Sequence, residues 1–335
     1  MKRSLALAAG MLVVTLGAYA QLRPQFTQYM LNYYTVNPAF TGAKNFTDVR
    51  AGYRKQWTGI TGSPETFYAS AHGSIEAGQS HPPVSLPVRG RLSNQFSTGA
   101  KSSDEGSSAK HGIGGMVMAD RTGPSGFNAG YVSYAYHIPV AAQTYFSFGL
   151  MVGASQFFID YNKLELQDRA IGTGMVSNLY PDVNLGGMLY GEKYFVGYSL
   201  NQLLRNEVKL ISDNKTAVSR LPINHFITAG YKIGLNDALS LVPSVLVKYS
   251  PESPISFDVN ARLNIKEMLW IGAAFRNQDA FSGLVGVHLS DMLSFGYGYD
   301  FTTSKLNTFS NGSHEVVLSG RLFKKNKSIV RPSMW

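Results

Sequence analysis

The chain has 335 residues, a formal net charge of +9 and no cysteine, which excludes both a disulfide framework and a lipid attached to an amino-terminal cysteine. Charged residues make up only 15% of the chain, well below the roughly 25% of soluble domains, while aromatic residues reach 12%. Beyond the first twenty residues, no apolar run approaches the roughly 20 residues that a membrane helix needs. This composition excludes a helical membrane protein and is typical of membrane β-barrels.

The first twenty residues have the pattern of a secretory leader. A basic start, Lys2 and Arg3, precedes an apolar stretch from Leu5 to Leu16, and Ala18-Tyr19-Ala20 forms a small-x-small cleavage site. A transmembrane anchor, the alternative, would need about 20 apolar residues. We therefore expect residues 1–20 to be a cleaved signal peptide and the chain to be exported.

The next segment, residues 21–45, matches no strand pattern. It ends in a turn-forming cluster from Asn37 to Gly42 and carries five aromatic rings. Because exposed rings in this number would form an apolar patch, we expect the segment to cap the periplasmic mouth of the structure that follows, or to plug its lumen. The candidate partner-binding residues in this segment are Phe26, Tyr29, Asn37, Pro38 and Phe40.

Alternation of apolar and polar residues is the strongest signal in the rest of the chain. From Ile255 to Ile265 every odd position is apolar and every even position except Arg262 is an uncharged polar residue or an aspartate. Fourteen such segments can be counted: 46–57, 64–75, 111–120, 127–138, 145–154, 182–190, 193–201, 224–234, 238–249, 255–265, 267–276, 280–289, 292–301 and 313–323. Strands of about ten residues, tilted about 40°, rise roughly 25 Å, which is the height of an outer-membrane apolar band.

These segments predict an all-β fold, a transmembrane antiparallel β-barrel of the outer membrane with about 14 strands over residues 46–323. A large soluble β-sandwich would alternate as well, but the leader, the low charge and the lengths of the connections favour the barrel. The alternation assigns three side chains to the lipid face and three to the lumen, respectively Phe257, Leu263 and Phe295, and Asn260, Arg262 and Ser294.

The connections alternate in length, as in barrels with short periplasmic turns and longer outer loops. Short connections are predicted at 139–143, 191–192, 235–237, around Lys266 and at 290–291, and long ones at 155–181, 202–223 and 302–312. One periplasmic connection, 76–110, breaks this rule, so it is either a disordered segment or hides a further strand pair.

The predicted outer loop 155–181 holds more apolar side chains than a freely solvated loop would. Its candidate partner-binding residues are Phe157, Phe158, Leu164 and Leu166. One interpretation is that these residues fold onto the loop 202–223 and close the outer mouth. The other is that both loops form a platform with apolar anchors that receives a partner protein.

Signals for chemistry are weak. The seven histidines are scattered without the spacing of metal ligands, and we expect no metal and no cofactor. A hydrolase pair of Ser319 and His288 is conceivable, but we interpret both as polar residues that line the lumen. Basic residues cluster only in the tail, residues 324–335, which is either solvated or docks on an anionic partner, and we expect no nucleic-acid binding.

Short motifs in order along the chain resemble those of a known family. The segment Pro24-Gln25-Phe26-Thr27-Gln28-Tyr29, followed by Asn37-Pro38-Ala39-Phe40-Thr41-Gly42, resembles the start of the PorP/SprF family, membrane proteins of the Bacteroidetes type IX secretion system. Arg54-Lys55-Gln56-Trp57, Pro243-Ser244 and Gly296-Tyr297-Gly298-Tyr299-Asp300 are similar to later parts of the family pattern.

The resemblance implies a non-enzymatic outer-membrane component that supports export and surface attachment of secreted adhesins, which serve as gliding or virulence factors. The implied partners are a secreted adhesin or its C-terminal domain, periplasmic peptidoglycan-associated components of the secretion system, and the lipid bilayer. A second function remains open, an outer-membrane pore or small-molecule transporter, because a barrel of about fourteen strands leaves space inside unless something fills it.

Overall fold

A computed structural model describes residues 24–75, 109–141, 143–163, 174–212, 215–251, 253–266, 268–277 and 279–322. The expected signal peptide, the basic tail 324–335 and nearly all of the 76–110 connection lie outside the described residues. Among the described residues, no helix has the length and the hydropathy needed to cross a bilayer.

The described strands form one closed antiparallel barrel of 14 strands, which confirms the predicted fold. Its strands are β1 (Thr47–Lys55), β2 (Glu65–Ile75), β3 (Lys110–Thr122), β4 (Ser125–Ala141), β5 (Thr144–Asp160), β6 (Met175–Gly191), β7 (Tyr194–Asn201), β10 (Asn224–Tyr231) with its continuation β11 (Ile233–Asn236), β12 (Leu239–Ser250), β13 (Ser253–Ile265), β14 (Leu269–Arg276), β15 (Ala280–His288), β16 (Leu293–Thr302) and β17 (Ser313–Leu322). The barrel closes where the first strand, β1, pairs with the last, β17.

Elements outside the barrel wall are short. A separate hairpin, β8 (Glu207–Ser212) and β9 (Lys215–Arg220), lies in the connection between β7 and β10. The amino-terminal segment holds three 3₁₀ helices, Tyr29–Leu31, Tyr33–Thr35 and Pro38–Phe40, and two more span Tyr161–Lys163 and Lys305–Thr308. The prediction that the amino-terminal segment is not a strand is confirmed.

The two ends of the barrel differ. At one end, which we call the terminal end, β1 begins and β17 ends. The connections 142–143, 192–193, 237–238, 266–268 and 289–292 at this end are short, and the connection between β2 and β3 is the long exception expected from the sequence. The opposite end, which we call the far end, carries the longer connections 56–64, 161–174, 202–223 and 303–312, together with the short turns 123–124, 251–252 and 277–279. Since outer-membrane barrels have short periplasmic turns and longer extracellular loops, we expect the far end to face the cell surface.

The outer surface of the barrel is a belt of apolar side chains. Phe257 and Phe295 are each 37% exposed, whereas Asn260 is 2% exposed; Arg262 and Ser294 are buried too, and Leu263 on the outer face is half-buried. Exposed large apolar residues continue around the wall on neighbouring strands, among them Val132, Phe148, Val196, Val259, Val285 and Phe301. A belt of this extent is unfavourable in water and fits the hydrocarbon of a bilayer.

An arginine placed in this belt should destabilise the barrel. Val259 lies at the centre of β13 and is exposed on the outer face, so Val259→Arg should cost about 2–4 kcal/mol of unfolding free energy. On the same strand, Asn264 faces a cavity inside the barrel, and Asn264→Arg should cost little. Urea titration in detergent, followed by the heat-modifiable gel shift, measures both. Equal losses would contradict the assignment of the two faces.

Strands β4, β5 and β6 are longer than the sequence pattern predicts. Each has 17 residues, so each would rise about 43 Å at a 40° tilt, about 18 Å beyond the apolar band. On this outer extension Arg121 donates to Asn128 at 2.9 Å, Asn128 to Gln156 at 2.9 Å, and Gln156 to Ser177 at 2.9 Å. These polar side chains interrupt the apolar outer face, which still carries the exposed Met175 and Leu179, while the backbone pairing continues.

Candidate functional site

The amino-terminal segment, residues 24–46, passes through the interior of the barrel from the far end to the terminal end. At the far end, Lys248 near the end of β12 donates to the Gln25 side chain at 2.9 Å. Midway, Tyr34 shares a hydrogen bond of 2.8 Å with Ser133 of β4. At the terminal end, Lys44 forms an ion pair with Asp48 of β1. The chain therefore crosses the whole lumen before it enters the first strand.

The Asn37-Pro38 pair fixes the turn in the middle of this path. The Asn37 side chain accepts a hydrogen bond from the Ala39 N–H at 2.9 Å, which caps the 3₁₀ helix that begins with Pro38. The same side chain donates to the carbonyl oxygens of Gly187 and Tyr198, at 3.2 and 3.4 Å. Both candidate residues are buried and hold the segment to the wall of β6 and β7.

The aromatic candidates also face the barrel wall. Phe26 makes an edge contact with Tyr68 at 4.6 Å between ring centroids, and Phe40 stacks on Tyr33 at 5.1 Å. The Tyr29 hydroxyl accepts a hydrogen bond of 2.6 Å from Asn260. Burial raises the pKa of Tyr33 to about 12, so its phenol remains neutral at physiological pH. These rings act as packing residues of the lumen in the described structure.

A buried ionic cluster holds the start of the segment. The N–H groups of Thr27 and Gln28 donate to the Glu315 carboxylate at 2.6 and 2.9 Å, and the Thr27 hydroxyl donates to Asp300 at 2.7 Å. The Arg54 guanidinium lies 2.7 Å from Asp300 and 3.1 Å from Glu315, and all three charged side chains are at most 3% exposed. Charge-assisted bonds of this kind are roughly twice as strong as neutral ones. The sequence offered no signal that Arg54 and Glu315 share Thr27 as a partner, because Thr27 lies in a segment without strand periodicity.

Two inward-facing glycines allow the segment to approach the wall. A Cβ on Gly149 of β5 would overlap the Pro38 backbone, and one on Gly112 of β3 would overlap the Thr41 carbonyl. Since the obstructing atoms are backbone atoms of the segment, no rotation of a side chain would relieve the overlap. These two positions require glycine because the segment in the lumen packs directly against them.

Gly149→Ala should therefore displace the segment, while Gly187→Ala should be tolerated. Gly187 faces outward on β6, and a Cβ there would meet only the Phe146 ring, at an ordinary 3.8 Å. Overpacking of this kind costs typically about 1–3 kcal/mol. Limited proteolysis of the purified protein, read as the rate of cleavage within residues 24–46, measures the displacement. Equal rates for both variants would show that the segment does not press on Gly149.

Two of the candidate residues predicted in the outer loop, Phe157 and Phe158, lie on opposite faces of the extended strand β5. Phe157 and Phe158 were predicted in a loop, but both lie in β5, where successive side chains point to opposite faces. Phe157 packs against a buried cluster of Tyr180, Val208 and Leu221, and Phe158 lies under the Arg121 guanidinium, 4.8 Å from the ring centroid. Leu164 and Leu166 lie outside the described residues. Phe157 of the 155–181 region therefore contacts Val208 and Leu221 of the 202–223 region.

The far end keeps some apolar surface uncovered. Leu204, in the connection after β7, is 49% exposed, and Phe309, in the connection before β17, is 73% exposed. Between the start of the amino-terminal segment and strands β10 and β12 lies a groove of about 150 Å³, whose lining includes Pro24, Phe226, Tyr249 and Pro254. The start of the segment therefore lines a surface groove at the far end, where the longer connections also lie.

The described residues offer little to support catalysis. No group of three or more His, Asp or Glu side chains within this part of the chain could hold a metal ion. His288, once considered with Ser319, has its Nδ1 atom 2.6 Å from the Ser294 hydroxyl instead. Ser319 and Ser294 are register partners on β17 and β16. The histidine is part of the polar lining of the lumen.

Comparison with known proteins gives one family match. A family described as "Type IX secretion system membrane protein PorP/SprF" matches residues 18–319. No curated protein matches the chain.

Among solved structures, a FadL homologue from Pseudomonas aeruginosa shares 11% identity, with 89% of this chain and 94% of that chain covered and a TM-score of 0.45. The translocator domain of the autotransporter NalP from Neisseria meningitidis shares 11% identity over 96% and 98% of the two chains, with a TM-score of 0.42. Omp33 from Acinetobacter baumannii shares 9% identity over 84% and 100%, with a TM-score of 0.40.

Proposed function

The chain belongs to the PorP/SprF family of type IX secretion system membrane proteins, and from this membership we propose that it is a non-enzymatic outer-membrane component that supports export of secreted adhesins and holds them at the cell surface. The adhesins would be gliding or virulence factors. The secretion role is inferred from family membership. The preference for an anchor over a pore is inferred from the contents of the barrel interior.

The observation that supports an anchor is the filled lumen. The amino-terminal segment contacts β2, β4, β7, β13 and β17 through buried hydrogen bonds, and Tyr34 at its middle is 1% exposed. A pore or small-molecule transporter, the alternative function, needs this segment to leave the lumen, against the buried ionic cluster at Thr27 and Gln28. A barrel that keeps its own chain inside is suited to binding at its ends.

The far end is the surface that we assign to the adhesin. It faces the cell exterior, and it presents the exposed Leu204 and Phe309 beside a groove with apolar walls. Apolar anchors within a polar rim are the usual centre of a protein interface. Periplasmic components of the secretion system would bind at the terminal end, and the lipid bilayer surrounds the apolar belt.

Replacing both exposed anchors with aspartate tests the cargo surface. Leu204→Asp combined with Phe309→Asp should release exported adhesin into the medium, because each charge would have to be desolvated in the interface. We expect most surface-bound adhesin to be lost, measured by mass spectrometry of washed cells and of culture supernatant. Leu289→Asp, at an exposed residue in a terminal-end turn, is the matched control. Adhesin retained on cells that carry the double variant in a folded barrel would overturn this assignment.

A further inference from the structure

A second cavity lies at the terminal end, beneath the point where the amino-terminal segment meets β1. It measures about 800 Å³, which is within the usual size range of ligand pockets, and we call it the terminal vestibule. Its walls come from residues 44–46 of the segment and from strands β1 and β11 to β17 with their turns. This cavity is separate from the far-end groove and from the ionic cluster at Thr27 and Gln28, although the Lys44–Asp48 ion pair forms part of its wall.

The lining of the terminal vestibule is basic. Its charged side chains are the basic Lys44, Arg50, Lys232, Arg262, Lys266 and Arg321, and the acidic Asp48, Asp237 and Asp291. Six positive against three negative groups leave an excess of three positive charges. Asp48 already pairs with two of the cations, Lys44 and Arg50.

The far half of the lumen has the opposite balance. Around the start of the segment, the carboxylates Asp258, Asp279, Asp300 and Glu315 surround the cations Arg54, Lys248 and Arg276. Positive charge therefore collects at the terminal end. A negatively charged group that enters from the periplasm is attracted by the basic residues of the vestibule. It is not attracted further into the barrel, where carboxylates outnumber cations.

The vestibule also has apolar walls, and its cations are widely distributed. Trp270, which is 3% exposed and faces inward, and Met268 line it beside the charged groups. The six cations come from the segment, β1, the β10–β11 junction, β13 and its turn, and β17, so they surround the cavity instead of converging on one point. A single phosphate would engage only a few of these positions, whereas an extended chain with several carboxylates and apolar side chains would match both features.

We propose that the terminal vestibule binds an acidic, partly apolar peptide segment of a periplasmic partner protein. The chain's own tail is unsuited to this role, because residues 324–335 carry four basic residues and no acidic residue. The proposal rests on the proposed function for the outer-membrane orientation, which the assignment of the adhesin to the far end shares. The two are tested separately, because the peptide titration measures binding at the terminal end and the adhesin-release assay measures binding at the far end.

A binding titration on the full-length protein in detergent tests the proposal. The probe is a fluorescein-labelled octapeptide that alternates Asp and Leu, and the comparison peptide alternates Lys and Leu. We expect anisotropy to show saturable binding of the acidic peptide alone, with weaker binding as salt rises from 50 to 300 mM, because screening acts on the charged lining. Equal binding of both peptides would overturn the proposal. So would displacement of the acidic peptide by inorganic phosphate at equal concentration, which would identify a general anion site.

Charge variants locate the binding site. Lys266→Gln combined with Arg321→Gln should weaken binding of the acidic peptide about tenfold, while Lys163→Gln combined with Arg205→Gln, at the far end, should leave it unchanged. The complementary pair, Asp237→Asn with Asp291→Asn, removes acidic groups of the vestibule and should strengthen binding, which keeps the test decisive if the first pair folds poorly. Binding that follows neither vestibule pair would show that the peptide sits elsewhere.

Discussion

Replacing Arg54 with alanine should lower the unfolding free energy of the barrel by about 3–5 kcal/mol, the usual cost of removing one partner from a buried ion pair. The side chain is 2% exposed and lies between Asp300 and Glu315. It also donates to the Thr27 hydroxyl. Without it, two buried carboxylates would face each other across the start of the amino-terminal segment.

The matched control is Arg220→Ala. Arg220 also pairs with a carboxylate, that of Glu207 at 2.8 Å, but its side chain is 65% exposed, so its loss should cost about 0–1 kcal/mol. Urea titration in detergent with the heat-modifiable gel shift measures both variants. Adding Glu315→Gln to Arg54→Ala should recover part of the loss, since one uncompensated charge disappears. An Arg54→Ala variant as stable as Arg220→Ala would mean that the cluster does not hold the segment.

Deleting residues 24–36 should convert a silent barrel into a conducting one. The deletion removes Phe26, Tyr29, Tyr33 and Tyr34, whose rings fill the lumen, together with the backbone held by Glu315. A barrel of this strand number is wide enough for a water path when its interior is cleared. In planar bilayers, we expect no resolvable current steps for the intact protein and discrete steps for the deletion variant.

The control for this deletion is removal of the hairpin from Glu207 to Arg220. This hairpin pairs with no strand of the barrel wall, so its loss should leave the barrel silent. Steps of equal size from the intact protein would favour the pore function. Silence of a folded deletion variant would show that the remaining residues 37–46 are sufficient to block the lumen.

The barrel wall could be predicted from the sequence because each strand repeats the same two-residue period over a membrane-sized length. The outward orientation of Phe257 and the inward orientation of Arg262 follow from that period alone. The path of the segment could not be predicted in this way. Thr27 meets Glu315 across 288 positions of sequence, and no local pattern encodes a contact between a non-strand residue and the last strand.

Expectations based on an empty lumen also change. An arginine would not be tolerated at every inward position, because Asn260 donates to Tyr29 at 2.6 Å and a larger charged side chain there would disrupt packing. Asn264 faces the terminal vestibule, where an arginine side chain has room, so only there do we expect the substitution to cost little. The extension of β5 past residue 154 could not be predicted, because the polar Gln156 interrupts the apolar outer positions of the strand.

The passage of the amino-terminal segment through the lumen restricts the order in which the barrel can assemble. The segment leads directly into β1, and β1 is the strand that closes the wall by pairing with β17, the last strand made. Threading a free terminus with five bulky rings through a completed wall would require opening the packed interior, whereas wrapping the wall around the segment would not. We therefore expect the β1–β17 seam to form last, after the later strands have gathered around the chain's own beginning. Joining ends this distant in sequence is slow, so assembly intermediates should expose an open seam to the insertion machinery.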